Sequence, residues 1–378
     1  FVMAIPSGIL LKKVGFKRGI MYGFMLTALG AFLFVPAALV RQFEIFLIGL
    51  FSIGTGLAIL QTAANPYVTI IGPIESAARR ISIMGICNKF AGIISPLIFA
   101  ALILKADDSE LFSLIESGTL DAITKSAMLD ELIQRVIVPY AILGGLLVLA
   151  GIGIRYSILP EINTDEQNAT DEKENGHNSK KSIFDFPYLI LGALAIFFHV
   201  GTQVIAIDTI INYANSMGID LLEAKVFPSY TLACTMIGYV LGILIIPKYV
   251  SQTKALIICT ILGLLLSFGV VFADFNVTLF GHQANISIFL LCALGFPNAL
   301  IYAGIWPLSI HGLGKFTKTG SSLLIMGLCG NAILPLIYGY FAEVYDLRIG
   351  YWILIPCYLY LIFFATKGHK INSWKRNY

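Results

Sequence analysis

Eleven polar or ring-bearing residues stand inside long apolar runs of this chain, where each needs a chemical reason to be. Gln61 and Asn65 lie four apart in Leu60-Gln61-Thr62-Ala63-Ala64-Asn65-Pro66-Tyr67, which puts both on one face of a helix. Carboxamides donate and accept, which suits the hydroxyls of a neutral polyol such as a sugar; the alternative is an interhelical hydrogen bond beside a proline kink. Asn298, Tyr302 and Trp306 recur at a spacing of four, so a carboxamide stands near two rings that could cover the apolar face of a sugar, or that simply pack. His199 and Gln203 share a face in the same way, and Asn331 is a further carboxamide candidate. Three ionisable groups complete the set as candidates for coupling. Lys89, directly after Asn88, reads as functional or as half of a fixed ion pair. His199 is the second, and Asp208, nearer the end of its run, reads equally as a proton site or a partly solvated carboxylate.

The elements that position these residues follow from composition. Of 378 residues, 57% are hydrophobic and only 12% charged, against roughly 25% charged in a soluble domain. That apolar surplus must face lipid, so the chain is read as an all-α integral membrane protein. Apolar runs long enough to span fall at 19–40, 45–71, 81–104, 136–159, 187–213, 226–247, 254–274, 285–310, 319–342 and 349–366, with a stub at 1–11. The runs are continuous rather than alternating, which indicates helices and not barrel strands. Counting alternate connections, 18 of the 25 basic residues fall on one side, which predicts that this side, including the C-terminus, is cytoplasmic. Tyr351 and Trp352, opening the last run, read as interfacial anchors. All six cysteines lie in apolar runs without a CxxC or Cys/His grouping, and read as small core residues.

An acidic, solvated stretch at 160–186 divides the chain. On either side of it short motifs recur in the same order. Met84-Gly85-Ile86-Cys87 resembles Met326-Gly327-Leu328-Cys329, Pro66 precedes the first as Pro307 precedes the second, and Gly8-Ile9-Leu10 matches Gly242-Ile243-Leu244. The matched pairs lie 234 to 242 residues apart. The halves therefore read as parallel repeats of six spans, about eleven of the twelve being present and the first missing. The expected organisation is an N-terminal bundle over 1–159 (spans 2–6), a cytoplasmic linker over 160–186, a C-terminal bundle over 187–366 (spans 7–12) and a tail over 367–378. Two bundles with polar mid-span residues are most economically a secondary transporter, its site near the midplane.

Other chemistries find no footing. Gly314-Lys315-Phe316-Thr317 lacks the spacing of a phosphate-binding loop, no GxGxxG or HExxH is present, and no nucleophile motif appears. A formal net charge of +3 argues against a nucleic-acid partner. No enzyme activity, cofactor or metal is expected.

Residues 60–69, with Gly72-Pro73 following, resemble the span 4 signature of the fucose/galactose/glucose symporter family of the major facilitator superfamily. Leu313-Gly314-Lys315-Phe316-Thr317-Lys318-Thr319-Gly320-Ser321-Ser322 is similar to that family's loop between spans 10 and 11. The resemblance implies the major facilitator fold of two six-helix bundles and import of a monosaccharide, glucose/galactose or a fucose-like hexose, by cation-coupled alternating access. The coupling ion it implies is commonly a proton, with sodium the other possibility. In fucose permeases a glutamate contributing to coupling precedes Thr-Ala-Ala-Asn-Pro; Gln61 stands there here, closer to the glucose/galactose members. The resemblance also carries sugar lining onto Asn88 and Gln203. A sugar substrate, a bilayer of the bacterial inner membrane and a monomeric state are the expected partners and setting. The rival expectations are a major facilitator exporter of drugs or metabolites and a non-transporting sugar receptor.

Overall fold

The computed structural model describes residues 2–103, 122–161 and 182–374; most of the acidic linker and of the loop after residue 104 lies outside them. Each predicted run is helical. The first helices are α1 (Ala4–Val14), α2 (Phe16–Val40), α3 (Phe43–Ile70), α4 (Ala77–Ile103) and α5 (Ala122–Tyr156). After the linker come α6 (Pro187–Asp208), α7 (Ile210–Ser216), α8 (Leu221–Ala224), α9 (Phe227–Ile245) and α10 (Gln252–Phe272). Then follow α11 (Ile286–Ala293), α12 (Gly295–Ile310), α13 (Thr317–Met326), α14 (Gly330–Val344), α15 (Leu347–Gly350) and α16 (Leu354–Thr366). Among the described residues nine helical segments are long and apolar enough to cross a membrane. A two-stranded antiparallel hairpin, β1 (Asn276–Leu279) and β2 (His282–Asn285), joins α10 to α11.

Three departures from the sequence reading have clear physical causes. The expected loop at 105–135 becomes helix from Ala122 onward, because Ala, Met, Leu and Glu there favour helix even where the run is too polar to register as a span. The run at 285–310 is two helices meeting at Leu294, and the run at 319–342 is interrupted by a 3₁₀ turn at Gly327–Cys329. Tyr351 is not an interfacial anchor. It is fully buried, shares a 2.7 Å hydroxyl contact with Thr209 and packs on Tyr213 and Tyr338 at 4.9 Å each, while its neighbour Trp352 is exposed. Cys259, Cys292 and Cys357 are buried as expected of core residues, whereas Cys87 is exposed.

The chain forms two compact units. One comprises Lys13–Ala64 and Phe90–Glu161. Within it α2 and α3 approach closely where Gly30 faces Gly49: a Cβ on Gly30 would come within 2.6 Å of the Gly49 carbonyl oxygen. Phe34 fills the space beyond, stacked on Phe46 at 4.4 Å and edge-on to Tyr140 of α5 at 4.6 Å. Lys17 Nζ donates to the Ser157 carbonyl at 2.6 Å, tying the start of α2 to the residue just beyond α5.

The other unit comprises Phe1–Lys12, Asn65–Lys89 and Ile162–Tyr378. It is built mainly on α6 to α16, with α1 as far as Lys12, the end of α3 from Asn65 and the first half of α4 packed into it. Ala4, Ala78 and Ile81 belong to the same buried core as Leu189, Leu256 and Ile305. The Ala78 amide donates to the Gln252 side chain at 3.3 Å. Gly8 sits so close to α13 that a Cβ would meet Ser322 Oγ at 2.6 Å, and one on Gly85 would meet the Tyr239 ring at 2.5 Å. The repeated motif thus has a shared purpose: Gly327, the counterpart of Gly85, lies where a Cβ would be 2.5 Å from the Ala193 carbonyl of α6.

Candidate functional site

The centre of this unit is a polar cluster assembled from α3, α4, α6 and α12. Pro66 lies inside α3 and cannot donate to the turn before it; the Thr69 hydroxyl turns back onto the Asn65 carbonyl at 2.8 Å. The buried Asn65 side chain points away from its own helix and its Nδ2 donates to the Tyr302 hydroxyl of α12 at 3.1 Å. The Tyr302 ring lies 5.8 Å from that of Trp306, one turn on, and 6.3 Å from the His199 imidazole of α6. Lys89 of α4 is half-buried within electrostatic reach of His199.

What distinguishes the cluster is its unspent hydrogen-bonding capacity. Both ring nitrogens of His199, Nε1 of Trp306 and Nδ2 of Asn298 are buried and meet no partner among the described residues. Buried polar groups are almost always satisfied, and several unsatisfied ones within two helices mark a place built to hold polar matter, a polyhydroxylated ligand or water. The rings of Tyr302 and Trp306 lie beside these groups as a flat apolar surface.

The sequence-predicted residues separate on inspection. Asn65, Lys89, His199, Tyr302 and Trp306 come together. Asn298 joins them on α12, but its Oδ1 accepts from the Tyr358 hydroxyl at 2.7 Å, so half its side chain holds α16 in place. Gln203 is half-buried one turn beyond His199. Gln61 and Asn65 lie one turn apart on α3, yet Gln61 is exposed while Asn65 is buried; the sequence could place the two on one face but not say what covers it. Asn88 and Asn331 are exposed, as is Asp208 at the last residue of α6.

Sequence reasoning missed Tyr358 and Tyr239. Both sit in runs rich in aromatic and aliphatic residues; Tyr358 has no polar companion at helical spacing, and that of Tyr239 is only the small hydroxyl of Thr235. Tyr358 is the partner of Asn298, and Tyr239 fills the space that Gly85 leaves open. It missed Arg80 as well, whose guanidinium closes the end of α3. It donates to the carbonyls of Val68 (2.7 Å), Thr69 (2.6 Å), Gly72 (3.2 Å) and Pro73 (3.0 Å), and to the Ser76 hydroxyl at 2.7 Å.

Stacked long apolar helices around a polar cluster at mid-span define a multi-pass membrane protein built for passage of a polar solute. Residues 1–332 match the sequence model of the Major Facilitator Superfamily, and the chain belongs to that family. A glucose/galactose transporter of Brucella abortus is 31% identical over 375 residues, covering 98% of this chain and 82% of its own. The L-fucose-proton symporter of Escherichia coli K12 is 31% identical over 346 residues, with 91% and 76% covered. The solved structure of the E. coli fucose:proton symporter superposes with a TM-score of 0.82 at 26% identity, over 99% of this chain and 88% of that one. A structure of a transporter of the same name in its outward conformation gives 0.81.

Proposed function

We propose that this protein is a secondary active transporter that imports a monosaccharide of hexose size, with glucose and galactose as the first candidates. The observation that carries the reading is the bond from Asn65, in the span 4 signature, to Tyr302, whose ring lies beside Trp306 in a cluster with buried donors left over. Asn65, Tyr302 and Trp306 grip one face of the sugar. His199, Asn298, Gln203, Gln61, Asn88 and Asn331 are the further hydroxyl-binding candidates. The N-terminal bundle over 1–159 and the C-terminal bundle over 187–366 rock about the linker, exposing the site alternately to the two sides. The basic side and the C-terminus are cytoplasmic, the membrane is the bacterial inner membrane, and the working unit is a monomer. Coupling is to a proton or sodium, with Asp208, Lys89 and His199 as the ionisable candidates and Gln61 excluded because a carboxamide does not titrate.

The test is uptake of labelled glucose, galactose and fucose by vesicles containing the full-length protein, with and without a protonophore and with and without sodium. Concentrative uptake of at least one hexose is expected; its loss with the protonophore assigns the proton, and dependence on sodium assigns that ion. Folded protein that takes up none of the three would overturn the proposal.

A further inference from the structure

The turn between the last two long helices leaves a recess on the outside of the fold. α15 and the 3₁₀ turn after it, Tyr351–Ile353, join α14 to α16 and pack tightly inward. A Cβ on Gly350 would come 2.8 Å from the Tyr338 ring, and Tyr351 is fully buried. With the connection drawn in, a cavity of about 550 Å³ stands between the ends of α14 and α16, lined by Phe341, Tyr345, Ile349, Trp352, Ile353 and Pro356. The Tyr345 hydroxyl and the Trp352 indole N–H are the only polar side-chain groups of these six. Phe341, Tyr345, Ile349 and Trp352 are exposed. The two helical segments that meet here, Gly314–Val344 and Leu347–Lys370, are long and apolar enough to cross a membrane. The recess therefore opens toward lipid at the end of two spans, the level at which Trp and Tyr side chains gather. Charges stand at its rim. Asp346, next to Tyr345, is exposed and caps α15, its Oδ1 accepting from the Arg348 amide at 2.7 Å, a neutral partner that leaves the carboxylate's charge in place. Asp274 is exposed and meets Arg348 Nη1 at 3.1 Å, while the guanidinium is mostly covered and also donates to the Val270 and Ala273 carbonyls. Trp352 reaches the same end of α10 through Phe272, ring to ring at 5.2 Å. Two open carboxylates against one covered guanidinium make the rim negative.

We propose that this recess binds one phospholipid whose head carries an ammonium, of the phosphatidylethanolamine type, with an acyl chain in the cavity and the head at Asp346. The recess alone would not choose among lipids. An acyl chain that leaves bulk lipid for it gains packing but no hydrophobic free energy, because lipid tails are as apolar as the lining. Selection falls to the head, where the hydrogen bonds are charge-assisted. An ethanolamine head brings three N–H donors to the carboxylate, and its phosphate balances its own charge. A glycerol head is anionic and is repelled by the rim, and a choline head has no N–H to donate. The Trp352 indole N–H and the Tyr345 hydroxyl can donate to the phosphate or ester oxygens above the chain. The site shares no residue with the polar cluster around Asn65 and does not depend on what the protein carries.

The test is native mass spectrometry of the full-length protein, delipidated and then offered an equal mixture of phosphatidylethanolamine, phosphatidylcholine and phosphatidylglycerol with the same chains. One phosphatidylethanolamine is expected to stay bound, favoured about tenfold over phosphatidylglycerol, the weight of a hydrogen bond to a charged group. Asp346→Asn keeps the cap, since Asn caps a helix as well as Asp, and should bring that ratio close to one. Ile349→Trp, which fills the recess, should abolish retention. A second measurement needs neither variant. Phosphatidylethanolamine brominated on its chains should quench the emission of Trp352, read as the difference between the protein and Trp352→Phe, more strongly than brominated phosphatidylglycerol at equal concentration. Equal retention of the three lipids, a preference for phosphatidylglycerol, a ratio unmoved by Asp346→Asn, retention by folded Ile349→Trp or unquenched Trp352 emission would each overturn the proposal. So would a second copy of the chain in the recess, seen as a dimer that Ile349→Trp dissociates.

Discussion

Replacing Gly85 by alanine should loosen the docking of α4 onto α9 on the basic side. The added Cβ would sit 2.5 Å from Tyr239 Cζ and 2.7 Å from Cε1, inside any tolerable contact, so the ring or the helix must move. Overpacking of this kind costs about 1–3 kcal/mol. The gain of roughly 1 kcal/mol in helix propensity from Gly to Ala applies whether or not the two helices are docked, and cancels. The ratio of docked to undocked forms should therefore fall roughly 5- to 150-fold. Ser322 reports the change: it is 1% exposed and lies under Gly8 in the same docked unit. A cysteine introduced by Ser322→Cys, in a background with the six native cysteines replaced, should react slowly with an impermeant maleimide applied from the basic side. Adding Gly85→Ala should accelerate the reaction toward the factor above. Gly92→Ala, on the same helix but with nothing within 4 Å of its added Cβ among the described residues, should leave the rate unchanged. Equal labelling with and without Gly85→Ala would refute the reasoning, since it would mean that the Tyr239 ring yields at no cost.

Other consequences are as direct. Tyr302→Phe removes the acceptor of Asn65 Nδ2 and should raise the uptake KM for the sugar up to about tenfold; a double-mutant cycle with Asn65→Ala should show coupling of about 0.5–3 kcal/mol, and additive effects would separate the two residues. Arg80→Lys replaces five convergent bonds by a point charge with three donors. It should cost about 1.5–3 kcal/mol, read as a lowered Tm of the detergent-solubilised protein; an unchanged Tm would deny the cap its role. Asp274 is held below the usual carboxylate range first by a hydrogen bond from Asn285 and then by Arg348, while Arg348 also donates to the Val270 and Ala273 carbonyls closing α10. A depressed carboxylate contributes stability that is present above its unfolded pKa of about 4 and is lost as pH falls through the lower folded value. Hydrogen exchange around β1, β2 and α15 should therefore quicken below pH ~4, and Asp274→Asn should remove that pH dependence.

Most of the scaffold was legible in the residue order. Apolar runs of spanning length admit only helices in lipid, since each backbone group must be satisfied within its own segment, and every predicted run is helical. The repeated Gly8/Gly242 and Gly85/Gly327 motifs were visible as a pattern, but their purpose was not: a glycine says that something comes close, not what. The candidate site divides along the same line. Spacing on a helix placed Tyr302 beside Trp306 and Gln203 beside His199, because helical periodicity is local. It could not reveal that Asn65 meets Tyr302 across 237 positions, that Asn298 is half-committed to Tyr358, or that Tyr351 is core rather than interface. Those outcomes depend on which face of each helix is covered and by what, and apolar sequences that look alike to lipid and to a protein core leave that choice to packing. The residue order put His199, Asn298 and Trp306 inside apolar runs, because composition along the chain is local; only the tertiary structure left their nitrogens buried and without a partner among the described residues, because packing decides which groups meet.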